Sequence, residues 1–473
     1  MQGRSHRRQD VARVFAWLSG FSAPALLVVP KGLGAFAMLM LVATLLALPD
    51  AWRGRDARTP RALPLLLGTA LAVLAVAALS MWGSGADLSA LDNPSRALLL
   101  PWCAWLAWST RMRATSLWYG ALAGLALAFT ISMAQASWGV ERAGGEANPI
   151  VFANAVLTLL VVGVFCRPAR NGFPMQLLLA ALVALAVVAV ILSGSRGVLP
   201  GLGLVLLMLL AGNEARHRGW RLGATGAALA LLLAALWTVP WLSAQFRFDQ
   251  LRADVAGYAQ GQVDQPISAR LALWSVAWDA FRESPITGVG IEAFKSRVDA
   301  SLYCQGASRH FCGLEHAHND VAQWAATMGM PGLAALLALY GVPLAIAIGQ
   351  IRRNRLHAPV GPSWAAGMLV FAYLVSGLTQ SMFSHALSTG AYVVLVGLLL
   401  GMGMAPRDAA GTAGPGVRGR GELSLAEDEG AHGGVGSPRG RPRGRRRERR
   451  GGSGHDPGFR AVHRRTRPHE GQS

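Results

Sequence analysis

Up to about residue 404 the chain runs in long apolar stretches separated by short polar breaks. The stretches have neither the 3.6-residue alternation of surface helices nor the period of two of half-buried strands, and their length suits a bilayer, which a helix crosses in ~20 mostly apolar residues. Twelve are read, at about 12–29, 33–49, 62–82, 96–109, 115–134, 150–166, 173–192, 198–212, 222–242, 330–349, 362–383 and 388–404. The predicted fold class is all-α: a polytopic integral membrane protein with about twelve transmembrane helices. One break is long, residues 243–329. It contains amphipathic stretches such as Leu271-Ala272-Leu273-Trp274-Ser275-Val276-Ala277-Trp278, which predict a largely helical segment packed on the membrane face.

Basic residues orient the spans, because Lys and Arg are retained on the cytoplasmic side. Every second short connection is rich in arginine: Arg53, Arg55, Arg58 and Arg61; Arg111 and Arg113; Arg167 and Arg170; Arg216, Arg218 and Arg221; Arg352, Arg353 and Arg355. The alternate connections hold only Lys31, Arg96, Arg142 and Arg196. With Arg4, Arg7 and Arg8 ahead of the first span, both termini are predicted in the cytoplasm, which requires an even number of spans. Residues 243–329 then form the one long periplasmic loop. No small-x-small cleavage site follows the first apolar run, so it is read as an uncleaved anchor.

Composition narrows the function classes. Hydrophobic residues make up 52% and charged residues 15% of 473, well below the ~25% charged of soluble domains, so a soluble enzyme is excluded. The net charge of +19 does not indicate nucleic acid: residues 406–473 hold 15 Arg against 8 Asp and Glu, contributing +7, and loop orientation accounts for most of the other +12. Residues 405–473 are Arg/Gly-rich, cannot bury a core, and are predicted to be a disordered cytoplasmic tail able to touch anionic membrane lipids. The division is thus 1–404 as the membrane domain and 405–473 as the tail. Of four cysteines, Cys103 and Cys166 fall in apolar runs, whereas Cys304 and Cys312 bracket a short polar stretch of the loop, where an oxidising compartment would permit a disulfide.

Ionisable groups near bilayer depth are costly, so those kept at one membrane face are site candidates. Arg196 lies in Ser193-Gly194-Ser195-Arg196-Gly197, whose small residues allow close backbone approach while the guanidinium offers forked donors to a phosphate. Arg270 opens the amphipathic stretch that is followed by Pro285-Ile286-Thr287-Gly288-Val289-Gly290. His316 and His318 lie in Glu315-His316-Ala317-His318-Asn319-Asp320. Taken singly these have bland readings: a snorkelling guanidinium, a solvated helix-face charge, a surface turn. Two histidines two apart supply half of a metal-ligand set and no further ligands follow at suitable spacing, so no metal is assigned. The predicted topology places all three groups at one membrane face. Two cations beside an imidazole suit an anionic leaving group and an acceptor hydroxyl, as in glycosyl transfer from a polyprenyl diphosphate. Glu315, His316 and Asp320 are expected to face water, and His385 to be structural.

At these residues the chain resembles the O-antigen ligase and polymerase superfamily, over most of residues 1–404 and most strongly over 190–335. His318-Asn319, nine residues, then Gly329-Met330-Pro331-Gly332 match the ligase-type pattern, although Leu333 follows where Gly, Thr or Tyr is common in the family. Ser193 to Gly197, Arg270 with Trp274, Pro285 to Gly290, and Asn148-Pro149-Ile150 match its recurring motifs.

The resemblance implies a metal-independent, inverting glycosyltransferase of the bacterial inner membrane, with no cofactor and an active site on the periplasmic side. It implies that Arg196 and Arg270 hold the diphosphate of an undecaprenyl-linked glycan donor and that His318 is the base, with Asn319, His316, Gly329 and Gly332 in support. In the ligase branch the acceptor is a sugar hydroxyl of lipid A-core. An O-antigen polymerase and a protein O-oligosaccharyltransferase share the loop motifs. A small-anion transporter would place charges mid-helix and show related halves, and neither is seen.

Overall fold

The computed structural model describes residues 2–53, 59–168, 172–210, 254–258, 261–263, 265–305, 309–354 and 360–405. Among them every regular element is helical and none is a strand. The main helices are α1 (Gln2–Ala25), α2 (Gly32–Arg53), α3 (Ala62–Ser84), α4 (Leu99–Ser109), α5 (Ala114–Ser137), α6 (Pro149–Phe165), α7 (Phe173–Ser193), α8 (Leu199–Leu210), α9 (Pro266–Glu283), α10 (Phe294–Ala300), α11 (Asp320–Arg353), α12 (Pro362–Gly377) and α13 (Ala386–Met404).

Helices lie over eleven of the twelve expected segments; the ninth, 222–242, falls outside the described residues, as do 243–253 of the long loop and the tail from 406. Six of these helices are both long and apolar enough to cross a bilayer: α2, α3, α5, α7, α11 and α13, while α6, α8 and α12 are apolar but shorter. The chain is a membrane protein by this measure. Its outer helices turn large apolar side chains outward, Met38, Leu45, Leu65, Leu79 and Leu177 among them, which lipid tails satisfy and water would not.

Two helices form the protein's interior. Every residue of α6 from Val151 to Phe165 is buried, and so is every residue of α13 from Ser388 to Met402. An all-apolar helix surrounded by protein must meet its neighbours through small residues, since lipid offers no hydrophobic gain for closeness. Gly397 and Gly401 supply that contact in α13. A Cβ at Gly397 would lie 2.5 Å from the Leu100 carbonyl oxygen, and one at Gly401 2.2 Å from that of Ala104, so α4 packs backbone to backbone against α13.

Between α8 and α11 the chain is largely helical where described. In α9 the buried positions Ser268, Ala269, Ala272, Leu273, Val276, Ala277 and Ala280 recur at three- and four-residue steps, the amphipathic face foreseen from the sequence. That face, with Phe294, Val298, Phe311 and Ala317, makes a second small core beside the membrane helices. Cys304 and Cys312 are joined by a disulfide in the structure, with Cα atoms 5.7 Å apart.

Two boundaries differ from expectation: the helix of the eleventh segment, expected to 383, ends at Gly377. The tenth apolar segment was expected from 330, but α11 starts at Asp320. Its first turns carry polar residues that are nevertheless buried, Asp320, Gln323 and Thr327, and so escape an apolar-run criterion. Gly329 interrupts α11 with φ 62° and ψ −153°, a conformation open to glycine alone.

The break is matched by a partner. Pro331 has no N–H, so the Thr327 carbonyl has lost its helical donor; it accepts instead from Gly290 N at 3.1 Å and Ser80 Oγ at 2.9 Å. Met330 N turns to the Pro285 carbonyl at 2.8 Å, and the Ala326 carbonyl it leaves takes Val289 N at 2.9 Å. A Cβ at Gly288 would sit 2.2 Å from the carbonyl carbon of Thr327, and one at Gly329 2.6 Å from the Pro285 oxygen. The Pro285–Gly290 turn and the Gly329–Gly332 break are therefore two halves of one backbone joint, and α9 is fixed to α11 through it.

Candidate active site

The turn ahead of α11 holds His318 in a left-handed conformation, φ 50°, uncommon for a residue with a Cβ and of the kind that concentrates at functional sites. Its neighbours determine that geometry. Trp274 Nε1 of α9 donates to the Ala317 carbonyl at 3.1 Å, Ala317 N donates to Gln323 Oε1 at 2.7 Å, and Asn319 N donates to Ser381 Oγ at 3.2 Å. Asn319 also caps α11, its Oδ1 accepting from Ala322 N at 3.1 Å, and its amide nitrogen reaches the Leu378 carbonyl at 3.0 Å. The turn is thus clamped between α9 and the 378–385 segment that joins α12 to α13.

Gln380, fully buried, lies between two imidazoles. Its Oε1 is 2.6 Å from His318 Nδ1 and its Nε2 is 2.7 Å from His385 Nε2. With the amide in this orientation its oxygen accepts from His318 Nδ1–H and its nitrogen donates to His385 Nε2, the arrangement that leaves His318 Nε2 as the basic nitrogen. Burial, aided by the charges of His316 and His318, pushes His385 down to about 4, which keeps it in the neutral form this arrangement needs. The ring of His316 stands edge-on to His385 at 5.5 Å.

Burial also pushes His318 below the ordinary imidazole value; its hydrogen bond to Gln380 opposes this, and the positive charges of Arg270 and His316 add to it. Burial likewise lowers His316, against the pull of Glu315. Arg270 is lowered first by burial and then by the like charge of Arg142. No carboxylate pairs with Arg270 among the described residues.

The Ser193–Gly197 turn joins the same region. Gly194 has φ 62°, and Arg142 packs over it, donating from Nε to the Ser193 carbonyl at 3.1 Å. Ser195 Oγ donates to the Pro149 carbonyl at 3.0 Å, where Asn148 caps α6 through its Oδ1 and Ile150 N at 2.9 Å. A Cβ at Gly197 would meet Thr379 Oγ1 at 2.6 Å, so the turn abuts the residue next to Gln380. Half-buried Arg196 sits in this turn, flanked by Ser195 and Gly197.

The residues singled out from the sequence thus converge: Arg270 within electrostatic reach of His318, and the Arg196 turn against the segment that positions His318. Gly329 and Gly332 act from beneath, through the backbone joint. Two placements differ from the sequence reading. Asp320 does not face water; it is 1% exposed, accepting from Tyr340 Oη at 2.9 Å and Phe383 N at 3.2 Å. His316 is half-buried, and only Glu315 is exposed as expected. Gln380 and Arg142 were not read as site residues at all. Gln380 falls inside the expected span 362–383, whose helix ends at Gly377; its signal in retrospect is an uncharged polar residue near the end of an apolar run. Among the described residues no group of three His, Cys, Asp or Glu is placed to hold a metal ion.

This geometry rests on a stretch with a family signature. Residues 180–337 match the family model described as O-Antigen ligase. The match covers Arg196, Arg270, His318 and the Pro285–Gly290 and Gly329–Gly332 joint, and it supports membership of the O-antigen ligase superfamily. The similarity to O-antigen ligases extends over 158 of the chain's 473 residues. No curated protein matches the chain significantly.

Proposed function

We propose that the protein is an O-antigen ligase: it transfers a preassembled glycan from undecaprenyl diphosphate to a sugar hydroxyl of lipid A-core, at the periplasmic face of the bacterial inner membrane. In this reading residues 1–404 form a twelve-span domain with both termini cytoplasmic, and 405–473 a cytoplasmic tail. The observation that carries it is the pairing of a half-buried cation with a base: Arg270 lacks a carboxylate partner among the described residues and lies close enough to depress the imidazole of His318. A dianionic diphosphate beside Arg270 would meet a guanidinium whose charged form burial disfavours, and would favour that form.

The chemistry follows from the tautomer. The acceptor hydroxyl oxygen attacks the anomeric carbon and gives its proton to His318 Nε2, while Gln380 holds Nδ1–H. The bond from the anomeric carbon to the diphosphate oxygen breaks, and its electron pair leaves on undecaprenyl diphosphate, whose growing charge Arg270 and Arg196 stabilise. A single displacement inverts the anomeric centre. No metal enters the scheme, because the guanidiniums take the charge-neutralising role. The His318-Asn319 to Gly329-Met330-Pro331-Gly332 spacing favours the ligase over the polymerase branch.

Lipopolysaccharide from a strain lacking the gene, run beside a blot for undecaprenyl-linked O-polymer, tests the reading. Core without O-antigen and long polymer retained on the carrier are expected. Core bearing a single repeat would mean the polymerase, and an unchanged profile would refute both.

A further inference from the structure

A pocket of about 350 Å³ opens beside the base and is not lined by Arg196, Arg270 or His318. It lies between α3, the 90–94 segment, the start of α10 and the first turns of α11. Its volume is in the ~300–1,000 Å³ range of small-molecule sites, enough for a sugar or two and too little for a lipid chain. The walls are of mixed character: Trp324 gives an aromatic face, Glu292 and Glu315 give carboxylates, and His316 gives an imidazole.

We propose that this pocket binds a sugar of the acceptor glycan; the inference rests on the function proposed above and names the site that function leaves open. The carboxylates of Glu292 and Glu315 disfavour a diphosphate there, while sugar hydroxyls donate well to carboxylates and sugar faces pack on an aromatic ring such as Trp324. Lys295 does not reverse that preference, being paired with Asp299 at 2.6 Å. The pocket is also joined to the base. His316 lines it and meets His385 edge-on, and His385 shares Gln380 with His318, so a sugar seated there lies on the flank of the catalytic turn. Donor and acceptor thereby occupy separately lined regions, cationic and acidic respectively.

The test uses the full chain in detergent micelles with undecaprenyl-diphosphate-linked polymer and lipid A-core. Glu292→Gln and Glu315→Gln are each expected to raise the KM for lipid A-core about tenfold, the loss of one charge-assisted hydrogen bond, with the donor KM held within about twofold. An unchanged acceptor KM in both variants, or an equal rise in the donor KM, overturns the proposal. Equilibrium binding of deacylated core oligosaccharide, measured by saturation-transfer NMR, separates this inference from the proposed function. Binding that Ala77→Phe abolishes by filling the pocket supports the site even where wild type transfers nothing to lipid A-core, an outcome that would refute only the ligase reading. No binding to wild type, or binding that survives Ala77→Phe, overturns the pocket.

Discussion

Replacing Gly329 by alanine tests the backbone joint beneath the site. At φ 62° and ψ −153° an L side chain is held in a region that costs on the order of 1–3 kcal/mol. Relaxing the backbone does not relieve it, because the new Cβ would meet the Pro285 oxygen at 2.6 Å and the Ile286 carbonyl carbon at 2.7 Å, both main-chain atoms. Separating them breaks Met330 N to Pro285 O and Val289 N to Ala326 O, each worth about 1 kcal/mol net. The total is roughly 3 kcal/mol or more. In fluorescence-detected size exclusion after heating, the apparent melting temperature should fall by on the order of 5 °C. Transfer should fall with it, since His318 stands at the head of the same helix. Gly288→Ala attacks the joint from the other side, so the double variant should lose less than the two single losses combined. Gly34→Ala is the control: nothing lies within 4 Å of that Cβ, and alanine should be neutral or slightly stabilising. A Gly329→Ala protein that melts within about 1 °C of wild type and transfers normally would refute the joint.

Four further outcomes are expected. His318→Ala should abolish transfer with membrane insertion intact, checked by product formation and by yield in the membrane fraction. Arg270→Lys should raise the donor KM by about tenfold to a hundredfold, because an ammonium replaces a forked donor; normal kinetics in both this variant and Arg196→Lys would remove the diphosphate assignment. The neutral form of His318 is the base and its protonation is pushed below the usual imidazole range, so kcat/KM should hold as pH falls through that range and be lost only beneath it. His316→Gln removes one of the positive groups facing His318, beside Arg270 and the Gln380–His385 pair, and should move that acidic limb to higher pH. Asp320→Ala should destabilise the protein by about 1–3 kcal/mol, since it leaves the Phe383 N–H buried without its acceptor, and a thermal shift reads it.

The sequence made the helices legible because a bilayer demands apolar length, and length survives any arrangement of neighbours. Arg270 and His318 could be read together because the Pro285–Gly290 and Gly329–Gly332 glycines mark a fixed joint between their elements. Gln380 could not, and His385, singled out from the sequence, was read as structural. Both are single polar residues some sixty positions from His318, with no periodicity, and only the packing of the 378–385 segment against the 315–319 turn gives them a role. Asp320 was misread for a related reason. A carboxylate at the edge of an apolar run looks exposed, yet Gly377 leaves the space it fills, a Cβ there lying 2.5 Å from Asp320 Oδ2. Buried polar partners are long-range facts, and composition carries only local ones.

The joint also sets a timetable for the making of the protein. Pro285 is synthesised 44 residues before Gly329, which at ~5–20 residues per second is a delay of about 2–9 s. The carbonyls of Ala326 and Thr327 have their donors only where both halves are in place, so the joint cannot close before residue 330 is made. A chain cut between 290 and 326 would keep the turn without the carbonyls that hold it.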